Sequence, residues 1–139
     1  MKVAIIGAGS RGVNVYGNIL TANGVRISAV CDIDRQKVIN AKTRFSIAEE
    51  ACFFDEDKFF EAGQLGDGLV IASMDQDHYR QAIKAIKTGY KKILLEKPVS
   101  AVRGETEEII KAAKENGVDI LVCHELRYSG FYKTIKEVI

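Results

Sequence analysis

The run Gly7-Ala8-Gly9-Ser10-Arg11-Gly12 has the spacing G-x-G-x-x-G and directly follows an apolar run, Val3 to Ile6. In such a run the first glycine permits a tight turn, and the second lets backbone N–H groups approach a pyrophosphate. The third lets a following helix pack closely on the strand. A helix that begins there adds its opening N–H groups and its dipole, both attractive to an anion. Asp32 follows Gly12 by 20 residues, at the end of a second apolar run and with Ile33 beside it. A carboxylate at that place accepts hydrogen bonds from the adenine ribose hydroxyls of a dinucleotide. It favours NAD, because it repels the 2′-phosphate of NADP, while Arg35 and Arg11 keep NADP open as the second choice. Two readings of Arg11 stand. A cation in a first helical turn is disfavoured by about 0.3–1 kcal/mol unless an anion binds there, or the side chain simply points into water.

Ligands of an open α/β sheet sit outside the carboxyl ends of the strands, so the residues after each later apolar run are the next candidates. Ser73, Met74, Asp75 and His78 follow one run; Glu96, Lys97 and Pro98 follow the next; His124 and Arg127 follow the last. Pro98 is the only proline of the chain and pins the backbone at Lys97. A lysine so placed can donate to a substrate oxygen or exchange a proton with it; the alternative is a solvated lysine before a turn. For His78 a structural role at a helix start is preferred to catalysis. For His124 a structurally satisfied imidazole and a catalytic or substrate-contacting one both stand.

These residues need strands to end where they begin. Short apolar runs at Val3 to Ile6, Ile27 to Cys31, Leu69 to Ala72, Ile93 to Leu95 and Ile120 to Cys123 read as buried strands, with a shorter one around Cys52 to Phe54. Between them lie helical patterns. Val13, Tyr16, Ile19 and Leu20 form one stripe ending before Gly24, and Asp34 caps a helix carrying Val38 and Phe45. Tyr79, Ala82, Ile83 and Ile86 form a stripe closed by Gly89, and Glu105, Glu107 and Glu108 open a helix that ends at Gly117. Phe131, Ile135 and Val138 continue a helical pattern to the last residue. The stretch from Ser46 to Leu65 has no clear period. Strand and helix in alternation predict a doubly wound parallel-sheet Rossmann fold, a three-layer αβα α/β domain with right-handed crossovers.

Composition fits one such domain of 139 residues, 47% of them apolar. With 20 basic and 19 acidic residues the net charge is +1, so neither nucleic acid nor a membrane is an expected partner. Cys31, Cys52 and Cys123 are odd in number and widely spaced, which suits neither a disulfide framework nor a zinc site. They are expected to be reduced, mostly buried thiols of a cytoplasmic protein, and no metal is expected.

The combination of Gly7 to Gly12, Ser73-Met74-Asp75-x-x-His78 and Glu96-Lys97-Pro98 resembles the Gfo/Idh/MocA oxidoreductases, over essentially the whole chain. The likeness implies that Glu96 and Lys97 lie by the nicotinamide ribose, with Lys97 reaching the reacting substrate oxygen. It implies that Ser73 and Met74 line the adenine side, where the family usually has threonine and proline, and that His78 begins the helix beneath. The nucleotide contacts it leads us to expect are Gly7, Ala8, Gly9, Ser10, Arg11, Gly12, Asp32, Ile33, Ser73, Met74, His78, Glu96 and Lys97. Lys97 and His124 are the expected catalytic residues, and Arg127 and Tyr128 would lead toward substrate.

The resemblance covers only the family's nucleotide-binding half. Residues 1–139 are therefore expected to be one NAD(P)-binding domain, excised from a protein whose second domain holds most substrate contacts and the usual general-base histidine. The implied activity is hydride transfer between NAD and a sugar, inositol or related polyol, by a protein that is a homo-oligomer when full length. Two other functions fit the same residues: an NAD-dependent glycosidase and a non-catalytic dinucleotide sensor.

Overall fold

The computed structural model describes residues 1–124 and 129–138. The strands are β1 (Lys2–Ile6), β2 (Arg26–Cys31), β3 (Cys52–Phe53), β4 (Gly68–Ile71), β5 (Lys92–Leu95) and β6 (Asp119–Val122). They form one sheet in the order β3-β2-β1-β4-β5-β6, with every neighbouring pair parallel. The chain thus winds outward from β1 in both directions, and the carboxyl end of β1 lies at the point where the order reverses. That is where an open sheet leaves a crevice for a ligand.

Alternation along the central strands assigns each residue to a layer. Val3 and Ile5 of β1 pack with Val13, Tyr16, Val38 and Ala41 on one face, while Ala4 and Ile6 pack with Phe59, Ala85, Ile86 and Ile109 on the other. The first face is covered by α1 (Asn18–Ala22), the helical segment before it, and α2 (Arg35–Phe45). The second is covered by α3 (Glu56–Glu61), α4 (His78–Thr88) and α5 (Glu105–Asn116). The three-layer αβα fold expected from the sequence is the fold observed.

Asp34 caps α2 as expected, its carboxylate accepting from the N–H groups of Gln36 and Lys37. The short strand expected around Cys52 to Phe54 is β3, and three details add to the sequence expectation or depart from it. The segment Ser10–Gly17 is wound as a π-helix before passing into α1. Its wider turn rotates the residues of α1 off a pattern of about 3.6 residues per turn, and Ile19, expected on the buried stripe, is 57% exposed. The aperiodic stretch after Ser46 holds a short turn of helix (Glu49–Ala51), β3, and α3, capped by Asp55 accepting from the Lys58 N–H. The last pattern does form a helix, α6 (Gly130–Val138), but none of its residues is buried, Phe131 and Val138 included.

Candidate dinucleotide and substrate site

The three glycines of the β1 turn differ in what surrounds them. Gly7 has φ +91, and a Cβ there would overlap the carbonyl of Ala72 at the end of neighbouring β4. Gly12 sits in the first helical turn with its Cα facing the Gly7 carbonyl and the Ile5 side chain, so a Cβ has no room. Gly9 is the exception: a Cβ there meets no protein atom within 4 Å. The space above Gly9 is open, and Gly9 itself directly precedes the helix, whose first turn leaves N–H groups without partners inside the helix. A pyrophosphate fits this cradle in shape and in charge.

Asp32 lies at the end of β2, directly beside the turn. Its Oδ2 accepts the Ala8 N–H at 2.7 Å and its Oδ1 accepts the Asp34 N–H at 2.9 Å. Ala8 thus spends its N–H on Asp32, which sets the turn, and each carboxylate oxygen keeps lone-pair capacity toward solvent. Ile33 is 90% exposed and Met74 is 66% exposed, at the ends of β2 and β4 on either side of the β1 turn. A cleft of about 300 Å³ opens from the turn, with Gly9, Ser10 and Asn14 on one wall and Lys37, Asn40 and Arg44 of α2 on the other. A larger apolar hollow of about 420 Å³ runs past Met1, Gly68, Lys92 and Asp119, at the amino ends of the strands, and so lies away from these residues.

At the end of β5, Glu96 is buried and both of its carboxylate oxygens are engaged. Tyr16 donates its hydroxyl to Oε1 at 2.5 Å, the Arg11 Nε lies 2.9 Å from the same oxygen, and the Lys97 N–H reaches Oε2 at 2.9 Å. Arg11 is thus the counter-charge of a buried carboxylate, a contact that neither reading of the sequence included. Burial, first, and then contacts with Cys123 and Glu96 push the Tyr16 phenol well above its ordinary pKa, so it remains a donor. Sequence reasoning took Tyr16 only as core; its sole sequence signal is that a buried phenol needs a hydrogen-bond partner. Glu96 itself stands beneath the turn that carries Lys97, rather than free at the surface. Lys97 is exposed, and its bond to Pro98 is cis.

His78 opens α4 and is completely buried, with Nδ1 2.6 Å from the Pro98 carbonyl oxygen. Expected among the nucleotide contacts, it has no exposed atom to offer one; it holds the Lys97-Pro98 turn from below. Ser73 donates to the Gln81 side chain at 2.5 Å, and Gln81 in turn donates to Glu56. The Ser73 hydroxyl proton is therefore committed to Gln81, while its oxygen keeps lone pairs with which to accept. His124 is exposed just after β6, on the same edge of the sheet as Lys97. Arg127 and Tyr128 lie outside the described residues. The three cysteines are free thiols; Cys31 is buried and pushed up to about 12, by burial first and then by Asp32, Glu56 and Asp55, while Cys52 and Cys123 are only partly buried.

Comparison with known proteins bears directly on this arrangement. The family model described as oxidoreductase family, NAD-binding Rossmann fold (Gfo/Idh/MocA) matches residues 1–124. The scyllo-inositol 2-dehydrogenase (NADP(+)) of Bacillus subtilis is 29% identical over 140 residues, covering 100% of this chain and 37% of the relative. A glycosyl hydrolase family 109 protein of Solibacter usitatus is 27% identical over 122 residues, covering 82% of this chain and 28% of the relative. Among solved structures, a dehydrogenase from Chromobacterium violaceum in complex with NADH and UDP-GlcNAcA superposes with a TM-score of 0.86 at 20% identity, over 99% of this chain and 39% of the other. The chain thus spans well under half the length of the relatives it matches.

Proposed function

Since the chain belongs to the Gfo/Idh/MocA family of oxidoreductases, with its NAD-binding Rossmann fold, we propose that residues 1–139 form the nucleotide-binding domain of an NAD-dependent dehydrogenase. Its substrate would be a sugar, inositol or related polyol, oxidised at a carbinol carbon. The observation that carries the reading is the open space at Gly9, between two glycines whose own neighbours are protein. The opening N–H groups of the helix hold the pyrophosphate there, and the Asp32 oxygens accept the adenine ribose hydroxyls. Ile33 and Met74, large apolar side chains left exposed on either side of the turn, flank the adenine.

Bound nicotinamide supplies the acceptor and donor of hydride. Lys97, exposed at the end of β5, donates to the substrate oxygen and favours the charge that develops there as its proton leaves. His124 contacts substrate from the end of β6. A second domain, outside this chain, supplies the other wall and the general base, and the full-length protein assembles as a homo-oligomer.

A second reading, supported by the likeness to the glycosyl hydrolase family 109 protein of Solibacter usitatus, is that this chain serves an NAD-dependent glycosidase through the same cradle. Net accumulation of NADH from a polyol favours the dehydrogenase, and released sugar without net NADH favours the glycosidase.

The cofactor assignment is tested by isothermal titration of the chain with NAD+ and NADP+. Asp32→Ala is expected to weaken NAD+ by about 1.5–3 kcal/mol, the usual worth of hydrogen bonds to a charged group, and to narrow the preference over NADP+. The basic side chains of Lys37 and Arg44 flank the cleft beside the turn, which makes NADP+ the informative competitor. Unchanged NAD+ affinity in the variant would remove Asp32 from the ribose.

A further inference from the structure

We propose that His78 is the positioning residue for Lys97, fixing the turn that presents the lysine to substrate, an inference that rests on the role given to Lys97 above. The lysine lies between two anchors. Ahead of it, its own N–H is taken by Glu96 Oε2 at 2.9 Å. Behind it, the carbonyl of Pro98 is met by His78 Nδ1 at 2.6 Å. A carbonyl oxygen only accepts, so Nδ1 carries the proton.

The imidazole is a rigid anchor. It is 0% exposed and starts α4, which is packed into the core through Ala82, Ala85 and Ile86. Its other nitrogen, Nε2, is buried with no hydrogen-bond partner among the described residues. An apolar side chain would fill that site without leaving a polar atom unsatisfied. The imidazole is thus explained by what Nδ1 does, and what Nδ1 does is hold the residue after Lys97. No comparable bond to the 98 carbonyl comes from any other described side chain.

The test uses the 139-residue chain with carbon-13 labelled lysine, the Lys97 signal being assigned with Lys97→Arg. NAD+ and ADP are the probes, since ADP lacks the nicotinamide end. In the unaltered chain NAD+ is expected to shift the Lys97 signal and ADP to leave it in place. Two substitutions separate positioning from mere stability: the amide nitrogen of His78→Asn can stand where Nδ1 stands, whereas that of His78→Gln stands at the Nε2 place. The NAD+-induced shift is expected to be lost in His78→Gln and kept in His78→Asn, with ADP affinity within roughly two-fold in both, as for sites that act independently. A folded His78→Gln chain that binds ADP and keeps the full Lys97 shift overturns the proposal. If His78→Gln does not fold, the imidazole nitrogen-15 spectrum of the unaltered chain decides, and an Nδ1 without a proton overturns it. An unaltered chain whose Lys97 signal ignores NAD+ refutes instead the role of Lys97 itself.

Discussion

Gly9 and Gly12 look alike in the sequence and are opposites in the structure, so substitution should separate ligand binding from folding. Gly9→Val places its side chain in space that no protein atom occupies. Thermal unfolding is expected to change little, while dinucleotide binding is lost, because the added carbons stand where the pyrophosphate must come. Gly12→Val puts its side chain into the Gly7 carbonyl and Ile5, which must shift to admit it. It should cost about 1–3 kcal/mol of stability, the usual range for overpacking. Melting curves and NAD+ titrations of both variants check this, and a Gly9→Val chain that binds normally would remove the cradle from the site. The same contrast marks how far residue types can be read without coordinates. G-x-G-x-x-G announces a turn, but its spacing does not tell which glycine faces the ligand, nor that Arg11 turns back to neutralise Glu96.

At the scale of elements, α3 and α4 are joined by a polar clamp centred on Glu56. Its carboxylate receives Arg80 through Nε and a terminal nitrogen at 2.7 and 2.8 Å, Lys84 at 2.8 Å and Gln81 at 2.9 Å. Arg80 foremost, then Lys84 and Gln81, hold the Glu56 carboxyl down to about 2 against the opposing effect of burial. A carboxyl with a lowered pKa in the folded chain stabilises it above its unfolded value near 4.5 and loses that contribution as pH falls toward about 2. Glu56→Gln is therefore expected to cost about 1–2 kcal/mol at pH 7, discounted for the half-exposed Arg80. The gap should close progressively below pH ~4.5, and denaturant melts across that range measure it. A gap that persists at low pH would assign the effect to packing.

None of this clamp was legible in the sequence, because α3 is short and shows its period only once β3 and the Asp55 cap fix its start. The longer elements were legible for a physical reason: buried on both faces, β1, β2, β4 and β5 read as continuous apolar runs, and α4 carries a full stripe. Ile19 failed because a π-helical stretch breaks the period that the stripe assumed. The structural role of His78 at a helix start was legible, but its partner and that of Tyr16 were not, because each polar atom meets a residue far along the chain.

For the whole molecule, the expected behaviour is nucleotide binding without turnover. The cradle, Asp32 and the exposed Ile33 and Met74 all belong to this chain, so NAD+ should bind measurably. Hydride transfer should be undetectable by NADH fluorescence with a panel of sugars and inositols, since on the function proposed above this chain would offer one wall of the cleft and leave the nicotinamide end in water. Positioning and exclusion of water together account for many powers of ten in rate. Clear turnover would show that the chain holds a complete active site. The Glu96 carboxylate has a last consequence on this scale. It grips Arg11 of the nucleotide turn, Tyr16 of the first helix and the backbone of Lys97 with one group. The glycine turn, the first helix and the Lys97 turn are therefore tied at one buried group, so that a displacement of Arg11 or Tyr16 is carried to the backbone of Lys97.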